Sequence, residues 1–222
     1  MIVHYPNNIL MSPTKEVSLF GRQRLDPIVN LLFEKNKQHH GVGLAFNQLG
    51  GQESIFVIDY QNKENSTAYM GVFINPEIVS HSQETVIIPE RCLSFPGVQV
   101  NKERWKTIRI RWRDVESGIH EDEFTGMKSI IAQHEYDHCC GKTIISSLPV
   151  VKQRMLVEKM KKNNKKKTRE EALNFYKNLP KPETSMRATK SARESAKEMG
   201  LPIPKDAQEK IDIYTGKRFD NE

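Results

Sequence analysis

A chain of 222 residues can bury one real core, but its hydrophobic share of 37% is low for a globular protein, so part of it lies outside the packed domain. Residues 161–222 hold 16 of the 34 basic and 10 of the 28 acidic residues, leaving 18 of each in residues 1–160; the net charge of +6 belongs entirely to the tail. Three cysteines, two of them adjacent, exclude a disulfide framework, and no run of 18 apolar residues is present to span a membrane.

The opening "MIVHYPNNILMS" lacks a basic region followed by a long apolar run, so no secretory signal is expected and the chain reads as soluble and intracellular. In chain order, "DPIVNLLFEKNKQHHG" has a helix's punctuation: Asp26 as cap, Pro27 in the first turn, Ile28, Leu31 and Leu32 on one face, and Gly41 as the stop. A glycine-rich turn, "GVGLAFNQLGG", follows. Strands are expected at 54–60 ("SIFVIDY"), 69–79 and 106–114. The last alternates strictly, with Ile108, Ile110 and Trp112 opposite Arg109, Arg111 and Arg113. That arginine stripe could meet a phosphate backbone, or be the wet face of a half-buried strand. Met127 to about Cys139 reads as a helix stopped by Gly141. Helix, antiparallel strands and a later helix give an α+β class. The run "KMKKNNKKKTR" reads as a linker, followed by a helix with a capping box (Thr168, Glu171) and a second, mostly polar one over "TSMRATKSARESAKEMG". The expected division is therefore 1–160, a folded domain, and 161–222, a basic linker and extension.

Within "IIAQHEYDHCCGK", His134 and His138 stand four apart and share a helix face, so both imidazoles can reach one ion. Glu135 sits one position round, suited to water rather than to the ion. Alone, this pattern is equally a surface helix with two partly satisfied histidines. A third ligand decides the matter. Six positions past His138 stands Ile144, not histidine, and Glu158 is the only downstream carboxylate before the lysine run. Upstream, Cys92 lies in "IIPERCLSFPG"; its sulfur is a strong ligand, though a lone cysteine also serves as a small buried hydrophobe.

Taken together, "GVGLAFNQ", "ERCLS" and "QHEYDH", in that order, resemble the three motifs of the peptide deformylase family: G-x-G-L-A-x-x-Q, E-G-C-L-S and Q-H-E-x-D-H. "IVHYPNNIL" is similar to the family's opening, and the resemblance covers roughly residues 1–160. It implies antiparallel sheets packed around a helix bearing the histidines. It also implies removal of the formyl group from N-formylmethionine at the start of new polypeptides. Cys92, His134 and His138 would hold one divalent ion, Fe²⁺ natively by resemblance, with Zn²⁺, Ni²⁺ or Co²⁺ also suited to one thiolate and two imidazoles. Glu135 would act as general base and acid. Gln48, through its side-chain amide, and Leu93, through its backbone N–H, would stabilise the oxyanion. Gly41 and Gly43 would let the chain turn tightly and an extended peptide lie alongside. Ile130 and Ile131 are candidates for the wall of the methionine pocket, Glu90 and Arg104 for a supporting ion pair, and Asp137 and Gln133 for orienting backbone or ligands.

Departures from the pattern bear on substrate range. Arg91 stands where the family has glycine, Phe46 replaces the second alanine, and Cys139 follows the last histidine where leucine is usual. The expected partners are nascent formylmethionyl peptides, with ribosome or RNA contact open to the basic tail, no membrane and a monomeric state. The expected setting is cytoplasmic, bacterial or viral in a host, with an organelle open. Two other readings remain: a zinc peptidase on the same helix, and a ribosome- or RNA-binding protein with a vestigial metal site.

Overall fold

Backbone propensity and apolar patterning resolve into four α-helices and seven strands in the computed structural model, which describes residues 1–62 and 67–177. Two units are separable, Met1–Val157 and Glu158–Glu222, and the folded core described below belongs to the first. A one-turn helix α1 (Asn8–Met11) is capped by the Asn7 side chain, which accepts from the Ile9 N–H. Helix α2 (Arg22–Gln38) is preceded by Gly21 at the cap position, five residues before the expected cap. Asp26 is therefore interior, and so is Pro27, whose missing N–H falls within the helix. The helix ends through His40, which takes the left-handed conformation (φ 54°) that had been expected of a glycine stop, while the Gly41 N–H bonds back to the Asn36 carbonyl.

Strand β1 (Gly43–Ala45) leads into one 3-10 turn (Phe46–Leu49), then β2 (Ile55–Asn62) and β3 (Thr67–His81). Next come β4 (Thr85–Arg91), β5 (Gln99–Trp105), β6 (Thr107–Arg113) and β7 (Ile119–Thr125), followed by α3 (Gly126–Cys139) and α4 (Val150–Lys177). One sheet has the order β1-β2-β3-β6-β7, and β4-β5 form a separate two-stranded ribbon; every pairing between these strands is antiparallel. The α+β class with antiparallel sheets and few helices thus stands.

The run "IFVI" shows why β2 organises the core. Phe56 and Ile58 join a cluster with Phe73, Ile108, Ile110, Phe124 and, from α3, Ile131 and Ala132. Ile55 and Val57, on the opposite face, join Leu25 and Leu32 of α2. Both faces are covered, as a continuous apolar strand requires, and each such side chain is worth roughly 1.5–3 kcal/mol when buried. In β6 the alternation read from sequence holds. Arg109 and Arg111 lie on the wet face and pair with Glu121, and Arg111 also with Glu77.

Strand β7 was not expected, because only Phe124 among its residues is buried and the charged others carry no apolar alternation. The lysine run read as a linker is helical: α4 continues without a break through Thr168 and Glu171, so these do not start a helix. Lysine is a good helix former and needs no apolar stripe to stay in register with a helix already begun. The second tail helix, over 184–200, lies outside the described residues. No helix among the described residues is long and apolar enough to cross a membrane.

Candidate metal centre and active site

Helix α3 meets the sheet through Ile131 and Ala132, which leaves its histidine-bearing side for other contacts. Its position is fixed by several ties. Gln133 donates to the Trp105 carbonyl and accepts from the Trp105 N–H, stitching the helix to β5. Asn47 donates to the His138 carbonyl at 2.7 Å, tying the turn after β1 to the helix's last residues. Gly141 ends α3 with φ 69°, its N–H on the His138 carbonyl. Any Cβ at Gly141 would stand 2.6 Å from the Ser12 carbonyl carbon, so glycine is required there.

Against this helix comes the segment after β4. The Cys92 Sγ and one ring nitrogen each of His134 and His138 lie within 4.8 Å of one another, with Cys92 Sγ 3.2 Å from His138 Nε2. A tetrahedral site with metal–sulfur and metal–nitrogen bonds of about 2.3 and 2.0–2.1 Å spaces its donors roughly 3.3–3.6 Å apart. The three side chains fit such an ion. His134 turns Nδ1 to Glu90 Oε2 at 2.8 Å, which fixes the ring and leaves Nε2 for the cluster. Glu90 is held in turn by both arms of Arg104, at 2.6 and 2.9 Å, and Arg104 reaches Asp137 at 2.8 Å.

Burial and neighbouring charges act differently on the groups around the cluster. Burial pushes His138 well below its usual pKa, and the neighbouring His134 pushes it the same way, so its ring stays neutral and keeps a lone pair. Burial acts on His134 likewise, but hydrogen bonds to Cys92 and Glu90 outweigh it and raise its pKa. Burial would also raise Glu90, yet the bonds from Arg104 and His134 hold its carboxyl down at about 2.

Glu135 differs from the other carboxylates. Burial pushes its pKa up to about 7, and its Oε2 is buried with no hydrogen-bond partner among the described residues. It packs on the β1 backbone: a Cβ at Gly43 would stand 2.6 Å from Glu135 Oε1. Gly41 is similarly constrained, since its Cβ would fall 2.2 Å from Asn36 Oδ1. Neither glycine has a positive φ, and each is pressed closely by a side chain from within the molecule.

Gln48 is buried, and its Oε1 accepts from the Ala45 N–H at 2.9 Å. That bond fixes the amide's orientation, because only the oxygen can accept. Nε2 is thereby aimed at Cys92 Sγ (3.5 Å) and Ser94 Oγ (3.2 Å). Leu93 follows Cys92 directly and lies beside the glycine loop, its Cδ1 3.2 Å from where a Gly41 Cβ would be. Cys139 and Cys140 are outside the donor cluster; Cys139 is buried, belongs to the apolar core, and burial raises its thiol to about 12. Sequence reasoning gave no role to Asn36, Asn47 or Ser94. The last two sit inside the quoted motifs, and that position was the available signal.

A sequence profile of the polypeptide deformylase family matches residues 1–154. The chain belongs to this family. It is 35% identical over 161 residues to the peptide deformylase of Aquifex aeolicus, across 72% of this chain and 94% of that one. Among solved structures, the Ehrlichia chaffeensis peptide deformylase superposes with a TM-score of 0.69 at 29% identity, covering 75% of this chain and 97% of that one. The Plasmodium falciparum enzyme gives 0.64 at 31% identity, over 73% and 94%. The chain is accordingly a deformylase, a metal-dependent hydrolase that removes the N-formyl group from nascent peptides.

Proposed function

We propose that this hydrolysis takes place at Cys92, His134 and His138, with Glu135 moving the proton and Gln48 and Leu93 receiving the developing charge. The observation that carries the reading is the convergence of one sulfur and two imidazoles beside a buried carboxylate, one oxygen of which has no partner among the described residues. A divalent ion in that donor set supplies Lewis acidity that makes water nucleophilic near neutral pH. Iron(II) is the proposed native ion, and zinc, nickel or cobalt would suit the same donors. Glu135, buried and poised at about 7, accepts the proton of the attacking water and returns it to the departing amine. The Gln48 amide is already turned toward Cys92, so with the Leu93 N–H it meets the oxyanion without reorganisation.

The peptide is proposed to lie along β1, whose far edge carries no strand among those described. Ile130 is proposed for the methionine pocket, whereas Ile131, expected there too, packs into the core against the sheet. Replacing Glu135 with Gln should cut formate release from formyl-Met peptides by about 10²–10⁴-fold with the metal retained. Normal turnover in that variant would refute the assignment. The basic run from Lys161 to Arg169 is proposed to meet ribosomal RNA. Co-sedimentation of the full chain with ribosomes should then weaken when Lys165, Lys166 and Lys167 are reversed to Glu, and unchanged binding would dismiss the idea.

A further inference from the structure

We infer that Arg91 makes the enzyme favour substrates with an acidic side chain just after the formylmethionine. The inference rests on the proposed peptide cleft beside β1 and adds a preference to it. Arg91 is the last residue of β4 and immediately precedes Cys92. Among the described strands β4 pairs with β5 alone, so its other edge keeps unpaired N–H and C=O groups, as β1's does. The two edges come together near the donor cluster: Leu93, just past β4, packs against the loop at Gly41, and Gly43 packs against Glu135. An extended chain placed there can bond to strand backbone without regard to its own sequence.

Strand alternation then sets which side chains it shows to Arg91. Glu90 points inward and is buried, so Arg91 stands on the opposite, exposed face. Its Nε donates to Gln99 Oε1 at 3.0 Å on the registered neighbour in β5, which orients the guanidinium while leaving both terminal amino groups available. Arg104, Arg109 and Arg111 each have a carboxylate partner; among the described residues Arg91 has none. A fixed guanidinium with two free arms matches a carboxylate in a bidentate pair. A strand added beside β4 brings every second side chain to Arg91's face at cross-strand distance. Glycine, the residue of the family motif at this position, would offer nothing to such a group, so the preference is a property of this chain.

The test uses the full metal-loaded chain and amidated formyl-Met tetrapeptides with Asp, Ala or Lys at the second or the third position, compared by kcat/KM. The expected Asp-over-Lys preference at the second position is roughly two- to fivefold, weakening at high salt, and a preference confined to the third position would overturn the inference. Arg91→Gly should bring that ratio to about one, and Arg91→Glu should invert it. A ratio unmoved by both substitutions in active protein overturns the role of Arg91 alone. Failure of the unsubstituted chain to deformylate the Ala peptides would overturn the proposed cleft, and this inference with it.

Discussion

Two networks in this molecule use the same groups with different results. On the outer face of β6, Arg109 and Arg111 pair with Glu121 and Glu77, with side chains 31–61% exposed. Behind the donor cluster, Arg104 pairs with Glu90 and Asp137, and the Arg104–Glu90 pair is 6% exposed on both sides. Water screens the first set, so each pair contributes little and orients nothing downstream. The second set cannot be opened without stranding a buried charge, and its last member is His134 of the proposed donor set. Burial, rather than the identity of the ions, turns an arginine–carboxylate pair into a positioning device.

Breaking the buried network should therefore cost most. Arg104→Met leaves Glu90 without its main counter-charge and should destabilise the fold by about 3–5 kcal/mol in urea denaturation. A loss below about 1 kcal/mol would erase the distinction drawn between the two networks. Glu90→Gln removes the anionic acceptor of His134 Nδ1 and should weaken metal affinity by about 10–100-fold, read by competition with a chelator.

The same variant sharpens the pH behaviour. Because the folded Glu90 carboxyl sits at about 2, below its ordinary value of 4.5, the folded state binds fewer protons there. Its contribution is full above about pH 4.5 and is lost as pH falls toward 2. Stability measured across that window should fall less steeply in Glu90→Gln than in the parent, whereas equal slopes would deny the linkage. At the small end, Arg111→Ala should change stability by less than about 1 kcal/mol, with any effect fading in salt. A larger loss would mean that the exposed stripe also holds structure.

What could be read from the sequence follows the same division. Cys92, His134, His138, Glu135 and Gln48 were legible because their chemistry needs fixed residue types at fixed spacing. The sequence pattern also exposed the alternation of β6 and the stop at Gly141. Helix α2 starts earlier than its best-looking cap because packing of Leu25 against the sheet extends it past Asp26. Strand β7 carries one buried side chain, so its pairing with β6 rests on backbone bonds that leave no apolar trace. Gly41 and Gly43 were found as glycines, but their reasons, Asn36 and Glu135 pressed against them, depend on residues 5 and 92 positions away.

Metal binding tested on Cys92 is the most direct check of the proposed centre. Loaded with Co²⁺, the parent chain should bind one ion per chain and show a thiolate-to-metal charge-transfer absorption, and Cys92→Ala should lose that absorption and most of its affinity. If Cys92→Ala binds one Co²⁺ as tightly as the parent, with an unchanged spectrum, the sulfur is not a ligand and the proposed centre is wrong.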